Sequence, residues 1–447
     1  MKKVIYGFLI FTLCWMLLSC QSEQDGVSPL PDISHNNLEE ELESFPDISP
    51  KDTEEEQVSI QNYQDGIAPL PDISPTNIEE QQAAIPGETN SLKKWGDGFL
   101  LQYHKDRGES LCFFDETLSL VWEHEIRRTS ESVYLFGDDA IFILIAKDGG
   151  LGFARLDKSG SVLWETAKID VLTDLIAAFP DQSGGAYLFG TDYNNQQFTR
   201  YHIDRNGQIV TQEPFEIMGN VSALQGWFSD DGGYWLLGIS GGIYGNTDKR
   251  FLSRMDMDFN VINTFELLES QYPIIVFLPE DNRILLYGQA YKNDSSRAEY
   301  GFIYEFDYNM NQKKYLEFDD CVPNSVIRLK DGRWIVSCYD RENIAKDIVK
   351  IFDKDWKEVS DISIEYAVVQ LFALDDGGFA IAGSRLSPGQ PYGTLFLSSV
   401  RPTLDLVYEC YDAECKLTSR KTYSAQDSNS GYGYCAYVDK NGKIYLF

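Results

Sequence analysis

The 447-residue chain has little positive charge. Its 38 Lys and Arg face 70 Asp and Glu, so the formal net charge is −32. Nucleic acids are bound through clustered Lys and Arg that neutralise phosphates, so this charge balance argues against a nucleic-acid partner. It also opposes adsorption to anionic membrane surfaces, and it is compatible with a well-hydrated body and cationic partners.

The chain also lacks the motifs of the common catalytic and metal sites. It has no Gly-x-Ser-x-Gly elbow and no phosphate loop. Its four histidines show no metal-ligand spacing; they are His35, His104, His124 and His202. Asp256-Met257-Asp258 and Asp230-Asp231 resemble calcium-ligand pairs without the full loop pattern, and turn capping explains them more simply. We expect no cofactor, with Ca²⁺ as the alternative, and carboxylate pairs for glycoside hydrolysis stay open.

Long apolar runs are absent beyond the N-terminus. Met1-Lys2-Lys3 precedes an apolar run from Val4 to Leu18, which has the basic start and short core of a secretory signal. Leu17-Leu18-Ser19-Cys20 resembles the lipobox of bacterial lipoproteins, in which the cysteine becomes the lipid-carrying N-terminus. We therefore expect a signal peptide over residues 1–19, a lipidated Cys20, and attachment to the bacterial cell envelope at the outer membrane, with its body outside the cytoplasm. The alternatives are ordinary secretion and an uncleaved signal anchor.

The body keeps six further cysteines in a compartment that permits disulfides. They are Cys112, Cys321, Cys338, Cys410, Cys415 and Cys435. Cys410 and Cys415 lie close together in the sequence and are the candidate disulfide, with buried free thiols as the alternative.

Residues 20–90 have the composition of an acidic disordered spacer. Lys51 is the lone cation after Cys20 until residue 93, and Phe45 and Tyr63 are the aromatic residues of the segment, so it cannot bury enough apolar area to offset chain entropy. The motif Pro-Asp-Ile-Ser recurs three times, and its prolines and like charges extend the chain. The alternative is that Pro-Asp-Ile-Ser is a docking motif for a partner.

Residues 91–447 carry a repeat of about 40–50 residues, the period of radially repeated sheets. In each unit a turn rich in Asp, Asn and Gly joins two apolar segments, because Asp caps its own backbone and Gly accepts positive φ. The eight turns are Gly96-Asp97-Gly98, Gly137-Asp138-Asp139, Asp181-Gln182-Ser183-Gly184, Asp230-Asp231-Gly232, Glu280-Asp281-Asn282, Asp331-Gly332, Asp375-Asp376-Gly377 and Asp439-Lys440-Asn441-Gly442.

A second hairpin follows in each unit, most clearly from Phe153 to Trp164 and from Tyr201 to Val210. Ile351 to Trp356 and Phe306 to Asn309 are degraded copies of this hairpin. Two hairpins make a four-stranded antiparallel blade, so we predict an all-β propeller of eight blades. Because the chain ends before an eighth second hairpin, seven blades plus an extra hairpin is the alternative.

The two turn patterns together resemble the repeats of bacterial secreted and lipoprotein β-propellers, including quinoprotein-like ones. Asp231-Gly232-Gly233-Tyr234 through Gly238, Asp376-Gly377-Gly378-Phe379 through Gly383, and Leu156 through Trp164 carry the resemblance. It covers most of residues 91–447 and implies architecture, of a non-enzymatic type. The repeat tryptophan is kept only at Trp122 and Trp164, and nothing matches a quinone cofactor site.

Strand direction predicts two faces for such a ring. Turns inside hairpins open on one face, and the longer, more varied connections open on the other, where function concentrates. We expect partner contacts there from Tyr and Arg, which are frequent in binding hot spots, and from Lys. The candidates are Tyr244, Lys249, Arg250, Tyr291, Lys292, Arg297, Tyr339, Arg341, Arg385 and Tyr392.

The sequence therefore favours a lipid-anchored, monomeric propeller that binds a protein, peptide or glycan at the cell envelope. The alternatives are a glycan-active hydrolase or lyase that uses carboxylates of the central channel, and a scaffold for envelope assembly.

Overall fold

The computed structural model describes eighteen stretches of the chain. They are residues 79–83, 88–105, 108–126, 133–136, 140–147, 150–169, 174–181, 183–192, 197–215, 221–228, 233–240, 249–268, 271–278, 282–291, 299–340, 346–386, 404–425 and 435–447. All of them belong to one compact unit formed by Leu70–Ser387 and Thr403–Phe447. The predictions for the signal peptide, Cys20 and the Pro-Asp-Ile-Ser repeats lie outside these stretches and stay predictions.

The described residues form eight β-sheets, seven of them four-stranded and antiparallel. Strand β1 (Glu80–Gln82) precedes the first four-stranded blade. Blade 1 contains β2 (Glu88–Trp95), β3 (Gly98–Lys105), β4 (Gly108–Asp115) and β5 (Leu120–Ile126). Blade 2 contains β6 (Val133–Phe136), β7 (Ala140–Lys147), β8 (Gly150–Leu156) and β9 (Val162–Glu165). Blade 3 contains β10 (Asp174–Pro180), β11 (Ala186–Asp192), β12 (Gln197–Ile203) and β13 (Ile209–Pro214).

The next four blades follow the same plan. Blade 4 contains β14 (Val221–Phe228), β15 (Tyr234–Ser240), β16 (Lys249–Met255) and β17 (Val261–Glu266). Blade 5 contains β18 (Gln271–Leu278), β19 (Arg283–Tyr291), β20 (Glu299–Asp307) and β21 (Gln312–Phe318). Blade 6 contains β22 (Cys321–Arg328), β23 (Trp334–Asp340), β24 (Asp347–Phe352) and β25 (Glu358–Ile364). Blade 7 contains β26 (Ala367–Ala373), β27 (Phe379–Leu386), β28 (Leu404–Tyr411) and β29 (Leu417–Tyr423).

Blade 8 joins the two ends of the described chain. Its hairpin consists of β30 (Ala436–Val438) and β31 (Ile444–Leu446), and β1 pairs with β31 in parallel. First strands of neighbouring blades pack on one another at four boundaries, namely β6 on β10, β10 on β14, β22 on β26 and β2 on β30, which places the first strands nearest the axis. The prediction of an all-β propeller with eight blades is confirmed. Blade 8 differs from the predicted four-stranded antiparallel blade, because it has three described strands and its strand β1 runs parallel to β31.

Strand β1 places the start of the propeller earlier in the chain than the sequence predicts. Glu80 lies in the range we assigned to the spacer, yet its carboxylate accepts hydrogen bonds from Lys421 (2.5 Å) and from the Tyr423 hydroxyl (3.0 Å). The Ala83 amide donates to the Leu446 carbonyl at 2.9 Å. The propeller therefore begins before Ser91, because the last residues of the acidic segment complete its final blade.

The second hairpins of blades 1 to 7 share one turn conformation. An aspartate begins each turn, and in six of them its Oδ1 accepts the amides two and four residues later, as Asp157 does from Ser159 and Ser161 at 2.9 Å. The fourth residue of every turn has a positive φ. It is glycine in blades 2 and 3, but in the others it is a larger residue, namely Leu118, Phe259, Met310, Trp356 or Cys415.

This fourth position faces a slot between neighbouring blades, and the slot is filled in one of two ways. In blade 2 the position is Gly160, and Trp122 of blade 1 occupies the slot, donating its indole hydrogen to the Lys158 carbonyl at 3.0 Å. A Cβ on Gly160 would lie 2.5 Å from Trp122 Cγ. In blade 4 the position is Phe259, and blade 3 has Thr211 where blade 1 has Trp122. The Phe259 ring then fills the slot itself, stacked on Tyr234 at 4.3 Å and against Tyr187 of blade 3.

The other boundaries between blades 2 and 7 are filled in the same two ways. Between blades 2 and 3 the turn position is Gly207, which faces the Cβ of Trp164 and the backbone of Glu165, while the Trp164 indole donates to the Gly184 carbonyl of blade 3 at 3.2 Å. Blades 4, 5 and 6 carry Asn263, Lys314 and Ser360 at the tryptophan position. The blades that follow them carry Met310, Trp356 and Cys415 at the turn position. Ile351 to Trp356 and Phe306 to Asn309, which look degraded in sequence, are therefore intact turns in which the slot is filled from the other side.

The predicted Cys410–Cys415 disulfide is not formed in the structure. Both side chains are free thiols. The Cys410 thiol donates to the Tyr408 hydroxyl at 2.9 Å, whereas Cys415 fills the turn position of blade 7 and accepts from Arg333 Nη1 of blade 6 at 3.1 Å. Closeness in sequence misleads here because the turn directs the two side chains to different partners.

Candidate functional site

The strand order divides the connections between two faces of the ring. Turns within hairpins open on one face, which we call the turn face. Connections between the second and third strands of a blade, and between blades, open on the opposite face, which we call the loop face. The ten candidate binding residues lie in or beside the connections between second and third strands in blades 4 to 7, so they share the loop face.

Six of the ten predicted binding residues have side chains outside the described part of the chain. Tyr244, Lys292, Arg297, Arg341 and Tyr392 are not described, and Lys249 is described only through its backbone as the first residue of β16. Their role in binding stays a prediction.

Two of the predicted contact residues, Arg250 and Arg385, are buried. Arg250 is 8% exposed and donates through Nη1 to the Gln271 carbonyl, which joins blade 4 to blade 5. Arg385 is 5% exposed and pairs across β27 and β28 with Asp405. Burial lowers the pKa of Arg385, and the nearby charge of Asp405 opposes that shift. Our expectation that these arginines are exposed on loops is wrong, because each lies inside a strand end and holds the scaffold.

The other two, Tyr291 and Tyr339, lie in the neighbouring blades 5 and 6 and share Glu299 as a neighbour. The Tyr339 hydroxyl of blade 6 lies 2.5 Å from Glu299 Oε1 and 3.1 Å from Gln289 Oε1, both in blade 5. Tyr291 stands directly opposite Glu299 in the register of β19 and β20. Tyr291, Glu299 and Tyr339 are partly exposed, and Gln289 is 3% exposed. We call these four residues the loop-face cluster.

The loop-face cluster stands on an ordered base. The Tyr287 hydroxyl of β19 reaches the Asn324 carbonyl of blade 6 at 3.5 Å, and burial raises the pKa of Tyr287 to about 12, so it stays protonated at neutral pH. Asn324 Nδ2 donates to the Val368 carbonyl of blade 7 at 3.0 Å. Asp347, which is 2% exposed, accepts the Val368 amide at 2.7 Å. These bonds link blades 5, 6 and 7 beneath the cluster and hold it in place.

The chemistry of the cluster suits binding. The Tyr339 hydroxyl lies beside the Oε1 atoms of Glu299 and Gln289, so a phenol, a carboxylate and a carboxamide come together at the boundary of two blades. Two partly exposed tyrosine rings supply amphipathic surface beside these polar atoms. Within the described residues, no group of three or more His, Cys, Asp or Glu side chains is arranged to hold a metal ion. No helix in the described part of the chain is long and apolar enough to cross a membrane.

The sequence analysis does not identify two members of the cluster, Gln289 and Glu299, although both lie close to the connection between β19 and β20 that follows Tyr291. Counting the register across the hairpin from Tyr291 would have placed Glu299 beside it. Nothing in the sequence pairs them with Tyr339, because that contact crosses between blades.

Comparison with known proteins gives similarity in structure alone. No protein-family model matches the chain, and no curated protein matches it. A solved protein of unknown function from Bacteroides caccae is 14% identical, with 60% of this chain and 94% of that chain covered and a TM-score of 0.34. The Dos1 propeller is 11% identical, with 81% and 89% covered and a TM-score of 0.48. The propeller domain of the Trilobed protease from Pyrococcus furiosus is 11% identical, with 78% and 98% covered and a TM-score of 0.42. No function follows from similarity at this level.

Proposed function

We propose that the protein is a lipid-anchored binding propeller of the bacterial cell envelope and that its loop-face cluster binds a glycan. Tyr339, Glu299 and Gln289 carry this proposal, because a tyrosine hydroxyl, a carboxylate and a carboxamide converge there from two blades within 3.1 Å. A sugar offers hydroxyl groups to such acceptors and donors, and its apolar face packs on a tyrosine ring.

The residue types favour a glycan over an anionic partner. Glu299 contributes a negative charge to the cluster, and the whole chain has a formal net charge of −32. A neutral or amino-sugar polymer avoids the repulsion that an acidic protein or a phosphorylated ligand would meet here. Tyr339 is held through its hydroxyl by Glu299 and Gln289, so little of its conformational entropy is lost on binding.

Attachment to the envelope is supported by the sequence of the first twenty residues. The lipobox-like Leu17-Leu18-Ser19-Cys20 follows a short apolar run. Two or more acyl chains hold a protein stably on a bilayer, and the acidic segment that follows would separate the propeller from the membrane.

Isothermal titration of the full-length protein with polysaccharide released from the native envelope tests the proposed site. Glu299→Gln removes one charge, and Tyr339→Phe removes one hydroxyl, with little change in shape. Each should weaken binding by about 10- to 100-fold, the value of one hydrogen bond that involves a charged group.

Tyr315→Phe and Glu317→Gln are matched controls. Tyr315 donates to Glu317 Oε2 at 3.1 Å on β21, the outer strand of the same blade. Both controls should bind within about twofold of the wild type. Equal binding by all variants would refute the site. Capture of a protein or peptide instead of polysaccharide, with the same sensitivity to Tyr339→Phe, would keep the site and replace the glycan.

A further inference from the structure

Cys321 and Cys338 lie side by side in blade 6. Pro323 stands opposite Cys338 in the register of β22 and β23, so Cys321, two residues earlier, is the diagonal neighbour of Cys338 on the same side of the sheet. Both cysteines are 0% exposed and belong to the apolar cluster that packs blade 6 on blade 5. Both are free thiols in the structure, as Cys410 and Cys415 are. The two thiols are hydrogen-bonded to each other, and burial raises the pKa of Cys338.

Lys350 places a positive charge beside this pair. It stands opposite Val336 on β23, two residues from Cys338, and is 8% exposed. Its ammonium group lies 3.1 Å from Asp320 and 3.5 Å from Glu358, and burial, which lowers the pKa of Lys350, is outweighed by these acidic neighbours. Lys350 therefore stays charged, but its charge offsets only part of the burial that raises the pKa of Cys338, so Cys338 stays a thiol in the folded protein. The thiolate is the form that exchanges with disulfides, so exchange is favoured before the two blades have packed.

The other described cysteines have different surroundings. Cys112 lies in the apolar cluster of blades 1 and 8, and Cys435 is the residue that precedes β30. Cys410 bonds a tyrosine hydroxyl and Cys415 bonds an arginine. Within the described residues, the side-by-side arrangement of two thiols is found at Cys321 and Cys338.

We propose that Cys321 and Cys338 form a disulfide bond that ties β22 to β23. Diagonal neighbours are about 7–8 Å apart, slightly beyond the usual span of a disulfide. The bulge between Pro323 and Ser325 interrupts the ladder next to Cys321 and allows β22 the small shift that closes the bond.

The reaction needs an oxidant, which we assign to the class of disulfides, either a small-molecule disulfide or a thiol–disulfide oxidoreductase. The Cys338 thiolate attacks one sulfur of the oxidant and releases its first thiolate. The Cys321 thiolate then attacks Cys338 Sγ and releases the second. The two protein thiols are oxidised, the oxidant is reduced to two thiols, and the two protons pass to the released thiolates.

Burial sets when the bond forms. Neither sulfur is accessible once blade 6 has packed on blade 5, so exchange occurs during folding, before these two blades have packed together. The finished bond is then shielded from reductants. It lies next to the loop-face cluster, since Val322 and Tyr339 are opposite each other in the same ladder, but it does not depend on the function proposed for that cluster.

Peptide mapping of the full-length protein from the native envelope tests the proposal. The protein is denatured with an alkylating agent in the absence of reductant and then digested with trypsin. Cleavage after Lys314, Arg328, Arg333 and Arg341 separates residues 315–328, which hold Cys321, from residues 334–341, which hold Cys338. We expect these two peptides to be found covalently linked and to separate after reduction.

Refolding of the denatured, reduced protein with oxidised glutathione gives a second measurement. The same linked pair should appear, while Cys112 and Cys435 remain alkylated as internal controls. Cys321→Ser should abolish the linked pair and leave Cys338 alkylated. Alkylation of both Cys321 and Cys338 in the envelope protein and in the refolded protein would overturn the proposal, as would a bond from either residue to a different cysteine.

Discussion

Trp122 and Gly160 share the slot between blades 1 and 2, and exchanging them tests how the ring is packed. Thr211 and Phe259 occupy the corresponding positions between blades 3 and 4, with the bulk on the opposite side. The double variant Trp122→Thr, Gly160→Phe copies that arrangement into the slot between blades 1 and 2, and the two single variants each make one half of the change. If the slot accepts bulk from either blade, the two substitutions should compensate each other.

The single variants should both be strongly destabilising. Trp122 is 9% exposed, stacks on Phe113 at 5.8 Å and bonds the Lys158 carbonyl, so Trp122→Thr should cost about 3–5 kcal/mol. Gly160 has φ 77°, and a Cβ there would lie 2.5 Å from the Trp122 ring. Gly160→Phe should therefore cost about 1–2 kcal/mol from the left-handed backbone and about 1–3 kcal/mol from overpacking.

In the double variant the new ring enters the space that Trp122 vacates. The overpacking disappears and most of the cavity is filled, so we expect a favourable coupling of at least about 2 kcal/mol in a double-mutant cycle. The assay is urea denaturation followed by fluorescence and circular dichroism. Trp122→Thr with Gly207→Phe is the matched control, because Gly207 faces Trp164 in the next slot. Its effects should add. Additive effects for Trp122 and Gly160, within about 0.5 kcal/mol, would refute the shared slot.

Three further predictions concern the ends of the chain and its turns. A protein that begins at residue 84 loses β1 and the bonds of Glu80 and Ala83, so it should be about 2–3 kcal/mol less stable than one that begins at residue 79; equal melting temperatures would contradict the role of β1. Deleting Gly433 to Phe447 removes the hairpin of blade 8 and should cause aggregation, checked by light scattering; a monomer that melts as the wild type does would contradict closure by this hairpin. The pKa of Asp307 is lowered to about 2, because its bonds to Lys313 and Asn311 outweigh burial, which raises it. A depressed folded-state pKa contributes stability above pH 3.8 that is lost as the pH falls towards 2. The free energy of unfolding of Asp307→Asn should therefore fall less steeply over this pH range than that of the wild type. Identical pH profiles would contradict this.

The propeller was predictable because turn chemistry is local. Asp caps a turn through its own following amides, and Gly332, Gly377 and Gly442 take the positive φ that their turns require. Such signals need no knowledge of distant residues, so eight repeats of them identified the blades. Phe259 and Met310 hid the same turn, because a large residue at positive φ is tolerated only where a neighbouring blade receives it.

Strand β1 was not predictable, because it forms through pairing with a distant part of the chain. Glu80-Gln81-Gln82 has no apolar alternation, and it becomes a strand because β31 offers an edge more than 360 residues later in the chain. The loop-face cluster was half predictable. Tyr291 and Tyr339 follow from the division of loops between two faces, whereas Arg250 and Arg385 lie only one or two residues inside their strands and are buried. Positions that close to a strand end cannot be assigned to loop or core from sequence alone.

Hydrogen–deuterium exchange of the full-length protein, with and without saturating envelope polysaccharide, tests the central claim most directly. A glycan bound at the loop-face cluster should slow exchange at the loop-face ends of β19, β20 and β23, which carry Tyr291, Glu299 and Tyr339, and leave exchange unchanged in the Asp307 and Asp353 turns on the opposite face. Slower exchange confined to the turn face, or none anywhere at saturation, would contradict it.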